Sequence, residues 1–332
     1  MKKFVSVFLT AAMAAASLTG CQSGGSSDAL TPVTLNEVAH SIFYAPQYAA
    51  IELGYFKDEG IDLTLVNGAG ADKVMTALIS GDADIGFMGS EASIYVYQEG
   101  SDDYAVNFAQ LTQRAGNFLV GRTAQENLSW QDLKGKKVLG GRAGGMPEMI
   151  FEYILKKNGI DPKTDLTIDQ SINFGLTAAA FTSNDADYTV EFEPFATGLE
   201  KEGSGTVVAS LGVDSGYVPY TAYSAKKSYL EKNPEIIQKF TNAIQRGLEY
   251  VNTHSAEEIA ETIKPQFKET DTATIATIIE RYKEQDTWKN DTVFEKESFE
   301  LLENILEEAG ELKKRVPYED LVTTAFSEEA AK

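Results

Sequence analysis

A chain of 332 residues with 43% hydrophobic and 24% charged content has the make-up of a folded, water-facing body large enough for two α/β lobes. Its formal net charge of −21 at pH 7 repels phosphate backbones, which argues against nucleic-acid binding, and it offers no polybasic patch for anionic lipid. One cysteine excludes an intramolecular disulfide, and two histidines without a cluster of other ligands give no metal-binding pattern, so no metal and no cofactor is expected.

Lys2 and Lys3 precede an apolar run from Phe4 to Leu18, which ends in Thr19-Gly20-Cys21 and a Ser/Gly-rich stretch to Ser27. A basic start, an apolar stretch shorter than a membrane span and small residues at its end predict a signal peptide over 1–20. Leu18-Thr19-Gly20-Cys21 also resembles the bacterial lipobox. That resemblance implies cleavage before Cys21, a lipid on its thiol and a flexible tether over 21–31. The expected address is extracytoplasmic, lipid-anchored to the cell membrane. Nothing later in the chain is apolar for long enough to span a bilayer.

From Val33 to Leu211 short β-rich runs alternate with helical patterns, which predicts βαβ units and parallel sheets. Strands are expected over 33–38, 61–66 and 84–88, with helices over 45–53 and 71–80 and another opening at Ser90-Glu91. The runs 104–111 and 118–121 read as strands that leave this first set. A second set places strands at 137–140, 166–172, 188–192 and 206–211. Its helices cover 147–157 and 176–182, and Glu193-Pro194 opens a shorter one. The run 220–224 then rejoins the first sheet, and from Lys226 onward the pattern is almost purely helical. Residues 32–115 with 218–332 are therefore expected to form lobe 1 with a helical tail, and 116–217 lobe 2. Two lobes joined by two crossings make a hinged cleft, and ligands of open α/β sheets sit at the carboxyl ends of the strands.

Several stretches carry a family likeness. They run from Phe43-Tyr44-Ala45-Pro46-Gln47 through Gly54-Tyr55-Phe56 to Glu59-Gly60-Ile61-Asp62, then 77–86, 133–138, 155–162, and Asp187 through Glu193-Pro194-Phe195. Lys232-Asn233-Pro234-Glu235 through Val316-Pro317-Tyr318 continues the match. Over 33–326 the chain resembles the solute-binding proteins that serve nitrate, sulfonate, taurine and thiamine-pyrimidine ABC importers. The resemblance implies an α/β, two-lobe periplasmic-binding-protein fold of the type II kind. Each lobe is then a mostly parallel sheet flanked by helices, with a helical C-terminal tail. It also implies a small-molecule ligand, permease and ATPase partners, a monomer, and no chemistry of its own.

Five strand-end loops hold the candidate ligand-binding residues. In the first, Ser41, Phe43 and Tyr44 offer a hydroxyl and two aromatic faces for a planar ligand; His40 beside them reads as a polar loop residue. Gly70 lies in a glycine turn opening a helix, where free N–H groups can meet an anion or a carbonyl oxygen. Ser90 either contacts ligand or caps the helix that starts with Glu91. Arg142, Gly144, Gly145 and Met146 form a second glycine turn into a helix, with a positive charge at hand. In the fifth loop, alternation places Glu191 and Glu193 on one face, opposite Phe192. A carboxylate there accepts from an amine or aminopyrimidine, or else Glu193 caps the helix at Pro194. Phe174, Asn173 and the crossing from Tyr217 through Tyr220 to Tyr223 add further candidates.

These acids and aromatics, with a weak resemblance of the late segment around Trp288, Phe299 and Val316-Pro317-Tyr318 to thiamine-precursor binders, point to a planar nitrogen-bearing ligand. A small anion such as an alkanesulfonate, taurine or nitrate is the alternative. An enzyme on the same scaffold fits less well. Lipidation removes the only thiol, there is no Ser–His–Asp arrangement with suitable context, and the cysteine-rich iron motif of pyrimidine-forming relatives is absent.

Overall fold

The computed structural model describes residues 29–125, 127–141, 145–172 and 175–332. The leader, Cys21 and most of the tether lie outside the described residues, as do Arg142, Gly144, Asn173 and Phe174. The strands are β1 (Thr31–Glu37), β2 (Ile61–Asn67), β3 (Ile85–Met88), β4 (Ala105–Thr112), β5 (Asn117–Gly121), β6 (Lys137–Leu139), β7 (Thr167–Asp169), β8 (Tyr188–Phe192), β9 (Thr206–Ser210) and β10 (Thr221–Lys226). They form two five-stranded sheets with matching plans, ordered β2-β1-β3-β10-β4 and β7-β6-β8-β5-β9.

In each sheet four strands run one way and the fourth in order runs against them. In the first sheet β10 is antiparallel to β3 and β4; in the second β5 is antiparallel to β8 and β9. Each reversed strand follows a chain crossing, since β5 comes directly after β4 and β10 directly after the second sheet is complete. Register brings apolar side chains together across the first sheet, with Leu35 opposite both Leu65 and Ile85. The strands are bounded by local chemistry. The expected strand over 166–172 stops at Asp169, whose carboxylate accepts from the N–H and hydroxyl of Ser171 and turns the chain. The expected strand over 206–211 stops at Ser210, which caps an unforeseen short helix, Leu211–Ser215, through its bond from Val213 N–H.

The core of the first sheet is aromatic. Phe87 stacks on Tyr223 at 4.3 Å, and Phe240 packs edge-on against Tyr223 and Phe108. Phe240 belongs to the helix Pro234–Thr253, whose buried Ile237, Phe240, Ile244, Leu248 and Val251 recur every three or four residues. Proline in its first turn is tolerated there. This helix lies against the helix Ala45–Glu52 so closely that a Cβ on Gly247 would sit 2.2 Å from the Pro46 carbonyl oxygen. The helical tail then folds back onto both halves. Its Val322 and Trp288 bridge to β4, and its helix Lys296–Ala309 packs on the helix Met146–Lys157 of the second half.

The two crossings, 113–116 and 211–220, run side by side. Val218 N–H donates to Gln113 O at 2.9 Å and Tyr220 N–H to Thr112 O at 3.3 Å. Arg114 reaches the Gly212 carbonyl at 3.0 Å, where a Cβ on Gly212 would meet the Ala115 oxygen at 2.4 Å. Gln285 from the tail donates to Ala115 O in the first crossing and accepts from Ser210, the residue just before the second. Among the described residues no helix is long and apolar enough to cross a membrane.

Candidate functional site

The site is a seam where the strand ends of both sheets meet. After β1, Ser41 accepts from Phe43 N–H and starts a short 3-10 turn, Ile42–Tyr44, that runs straight into the helix Ala45–Glu52. That turn drives Phe43 and Tyr44 inward, and both are buried. The Phe43 ring lies 5.2 Å from Tyr44, 5.7 Å from Tyr220, 5.3 Å from Tyr282 and 6.1 Å from Phe192. Phe192 ends β8, so this cluster joins the two halves. The crossing is shaped around it: a Cβ on Gly116 would lie 2.5 Å from the Phe43 ring. Trp288 Nε1 fixes the same turn by donating to Phe43 O at 2.9 Å.

After β3 the chain turns through Gly89-Ser90-Glu91 into the helix Glu91–Gln98. Ser90 does not cap this helix with its side chain; its hydroxyl donates to Pro219 O in the second crossing. Glu91 folds its carboxylate back over Gly89, where a Cβ would stand 2.1 Å from Oε2. Only glycine leaves that room. Glu91 is 5% exposed and its Oε2 has no hydrogen-bond partner among the described residues. Burial pushes its carboxyl up to about 7. Three phenols feel its charge: Tyr44, Tyr95 and Tyr220 are all raised, by burial first and by Glu91 in addition. The hydroxyl of Tyr220 is likewise buried without a partner.

The facing wall comes from the second half. Gly145 precedes the helix Met146–Lys157, and Met146 is buried. Asn117, the first residue of β5, is fully buried; its Nδ2 donates to Pro147 O at 3.5 Å and its Oδ1 has no partner among the described residues. Tyr95 closes the seam by donating to Met149 Sδ at 3.8 Å.

Two expectations need correction. Glu191 lies on β8 and Glu193 just past its end, and neither presents a free carboxylate. Glu191 accepts from Thr189 at 2.6 Å and Thr177 at 3.0 Å, although burial still pushes it up to about 7. Glu193, 1% exposed, accepts from Thr197 N–H at 2.9 Å, from Thr197 Oγ1 at 3.0 Å and from the Arg281 guanidinium. It is a helix cap and an ion pair, held by a tail residue that also pairs with Glu200 at 2.6 Å and lies over the Phe118 ring. Ser41 meets this loop through Glu193 O, at 3.5 Å. The second correction is Gly70. In its turn the N–H groups of Gly68, Ala69 and Gly70 donate to Glu37 O, Asn67 Oδ1 and Val38 O, so none of them is left for an anion.

The structure thus brings Phe43, Tyr44, Ser90, Glu91 and Tyr220 together, while Gly145 and Met146 stand at the start of the helix whose Pro147 O and Met149 Sδ meet Asn117 and Tyr95. His40 belongs to a separate network: it bonds Glu37 at 2.8 Å and Gln266 O at 3.0 Å. Among the described residues no three His, Cys, Asp or Glu side chains are placed to hold a metal ion. Sequence reasoning missed Asn117, Tyr95 and Arg281. Asn117 carried one faint signal, a lone amide heading the apolar run Phe118-Leu119-Val120. Arg281 carried none, because its partner stands 88 residues away.

The family model for NMT1/THI5-like proteins matches residues 42–258. YtlA of Bacillus subtilis strain 168, a candidate binding protein, is 46% identical over 323 residues, 97% of this chain and 94% of that protein. The 4-amino-5-hydroxymethyl-2-methylpyrimidine phosphate synthase THI11 of Saccharomyces cerevisiae is 26% identical over 229 residues, 63% of each chain. Among solved structures, the alkanesulfonate-binding protein SsuA of Xanthomonas axonopodis pv. citri superposes with a TM-score of 0.71 at 14% identity, over 89% of this chain and 99% of that one. The periplasmic nitrate-binding protein NrtA of Synechocystis PCC 6803 gives 0.69 at 16% identity, over 91% and 88%. At these identities the two structures establish the fold, that of the periplasmic binding proteins.

Proposed function

The chain belongs to the NMT1/THI5-like family, and from that premise we propose that it is an extracytoplasmic solute-binding protein of an ABC importer. It captures a small planar nitrogen-bearing solute between its lobes and delivers it to a permease, without transforming it. The observation that carries this reading is Glu91, a carboxylate with one oxygen buried and without a partner among the described residues, beside an aromatic cluster at the meeting of the two sheets. A bound N–H donor relieves that oxygen, and the rings of Phe43, Tyr44 and Tyr220 supply flat apolar faces.

Residues 32–115 with 218–332 act as one jaw and 116–217 as the other, turning about the paired crossings. The lobes close over the solute and bury most of its surface, and the closed form is what the permease distinguishes from the open one. A micromolar dissociation constant requires about −8 kcal/mol. Aromatic contacts of roughly 0.5–1.5 kcal/mol each and one bond to a charged acceptor of about 1.5–3 kcal/mol, added to the burial of apolar surface, bring that within reach. The leader over 1–20 directs export, and a lipid on Cys21 holds the monomer beside its membrane partners.

Calorimetric titration of the purified chain with 4-amino-5-hydroxymethyl-2-methylpyrimidine and with ethanesulfonate tests the reading, with the mixtures examined afterwards by mass spectrometry. Binding of the pyrimidine alone, recovered unchanged, is the expected result. Binding of ethanesulfonate alone overturns the choice of solute. A new product in the pyrimidine mixture overturns the assignment as a binder that performs no reaction.

A further inference from the structure

Three buried side-chain groups at the seam lack a partner among the described residues, and each arrives from a different part of the chain. They are Glu91 Oε2 from the first half, Asn117 Oδ1 from the second and the Tyr220 hydroxyl from the crossing between them. All three residues are more than nine-tenths buried. Eight such side-chain atoms occur among the described residues, and these three gather around one aromatic cluster.

Their surroundings connect. Asn117 stands opposite Phe192 in the β5–β8 register, and the Phe192 ring is 6.4 Å from that of Tyr220. Tyr220 in turn feels the charge of Glu91. Tyr95, one helical turn beyond Glu91, reaches Met149 in the helix whose Pro147 carbonyl receives the Asn117 amide.

The polarity of each group is fixed by chemistry. The Pro147 carbonyl can only accept, so the Asn117 NH₂ faces it and the amide oxygen is the atom left over. An ionised Glu91 is acceptor-only, whereas the Tyr220 hydroxyl can act either way. Above about pH 7, where Glu91 is ionised, the seam therefore presents one acceptor on each lobe. Nitrate and sulfonate carry no donor for either of them, and they would also meet the charge of Glu91.

Building on the solute-binding reading, we infer that Glu91 and Asn117 form a two-sided acceptor clamp, and that the solute is a flat heterocycle with hydrogen-bond donors on two different edges. Because the two acceptors sit on separate lobes, a ligand with donors on both edges ties the lobes together. A ligand with a donor on one edge engages a single lobe.

The test uses three probes on the purified full chain. They are 4-amino-5-hydroxymethyl-2-methylpyrimidine, which has donors on two edges, and two analogues that keep one donor group each, 4-amino-2,5-dimethylpyrimidine and 2-methylpyrimidine-5-methanol. Wild type, Glu91→Gln and Asn117→Leu are titrated with each. Asn117→Ser is added as a smaller change, and a melting curve for every variant confirms that it is folded. Each analogue is expected to bind wild type about tenfold or more weakly than the parent, the loss appropriate to one bond at a charged or buried acceptor. Each of the two substitutions is expected to weaken the parent by a similar factor, and to leave unaffected the analogue that lacks the matching donor. If Asn117→Leu and Asn117→Ser both bind the parent as wild type does while Glu91→Gln weakens it, the clamp is wrong and the solute-binding reading survives. If wild type binds none of the three probes, the choice of a pyrimidine-like solute fails first and takes the clamp with it.

Discussion

Glu91 and Glu193 are both carboxylates buried where the two halves meet, and the protein treats them in opposite ways. Glu193 is surrounded by donors from its own helix and by the guanidinium of Arg281, which crosses from the tail to reach it. Glu91 has room made for it by Gly89, and its Oε2 has no partner among the described residues. A buried charge with a full set of partners holds architecture together; one without them holds its proton more tightly, and under the proposed reading a solute supplies the missing donor. The two acids nearest to helix starts in the site loops are therefore easy to confuse in a sequence and distinct in structure.

The largest effect that would test this contrast comes from the partnered side. Arg281→Met strands Glu193 in a dry environment and is expected to cost about 3–5 kcal/mol in urea unfolding. A loss below about 1 kcal/mol would mean that the Thr197 bonds suffice alone, and the contrast would narrow.

On the unpartnered side the expected signal is a pH dependence. The Glu91 carboxyl is raised from its ordinary range near 4.5 to about 7 in the folded protein. The folded state thus binds the proton more tightly, and this group's contribution is full below pH 4.5 and lost as pH rises through 7. The span corresponds to about 3 kcal/mol, an order-of-magnitude figure. Glu191 titrates over the same window, so the difference between wild type and Glu91→Gln isolates the Glu91 share. If the two stability profiles run parallel from pH 4.5 to 7, Glu91 is satisfied in solution and the contrast fails.

Glu37 stands between the extremes, buried and bonded by Gln47 at 2.7 Å, Tyr48 at 2.8 Å and the half-buried ring of His40. The Glu37 bond raises the His40 pKa above its usual 6.5 against the opposing pull of burial. Its stabilisation is therefore complete below pH 6.5 and lost as pH climbs through the raised value. With part of the ring open to water the effect is expected to be small, about 0.2–1 kcal/mol. Comparison of His40→Gln with wild type at pH 6 and pH 9 reads it directly. A gap that does not change between those two conditions would remove the ionic part of this interaction.

Much of this arrangement was legible before the fold was seen, for reasons tied to particular residues. Tyr44 and Glu91 follow short β-rich runs, one with Val33 and Leu35 at period 2 and one buried throughout, and each precedes a helical run, so their place at the carboxyl edge of a sheet followed from the pattern. Period-2 alternation likewise put Glu191 and Glu193 on one face. It could not show that Thr177, Thr189 and Thr197 would engage them, because two of those threonines lie on helices whose facing depends on tertiary packing. Arg281 was beyond reach for the same reason. The glycine turn at Gly68-Ala69-Gly70 looked like an anion cradle, and only the backbone bonds to Glu37, Asn67 and Val38 reveal that its donors are occupied.

The interleaving of the strands has a consequence for how the chain must be assembled. Strands β3 and β4 are never neighbours; the strand that separates them, β10, begins at Thr221, after the whole second sheet has been read out. A nascent chain that stops short of that point holds two open sheet edges facing an empty slot, the kind of surface that recruits strands from other molecules. Interior completion of the earlier half thus waits on the later half, and a truncation between Ser210 and Thr221 should yield aggregate and not a stable half-protein.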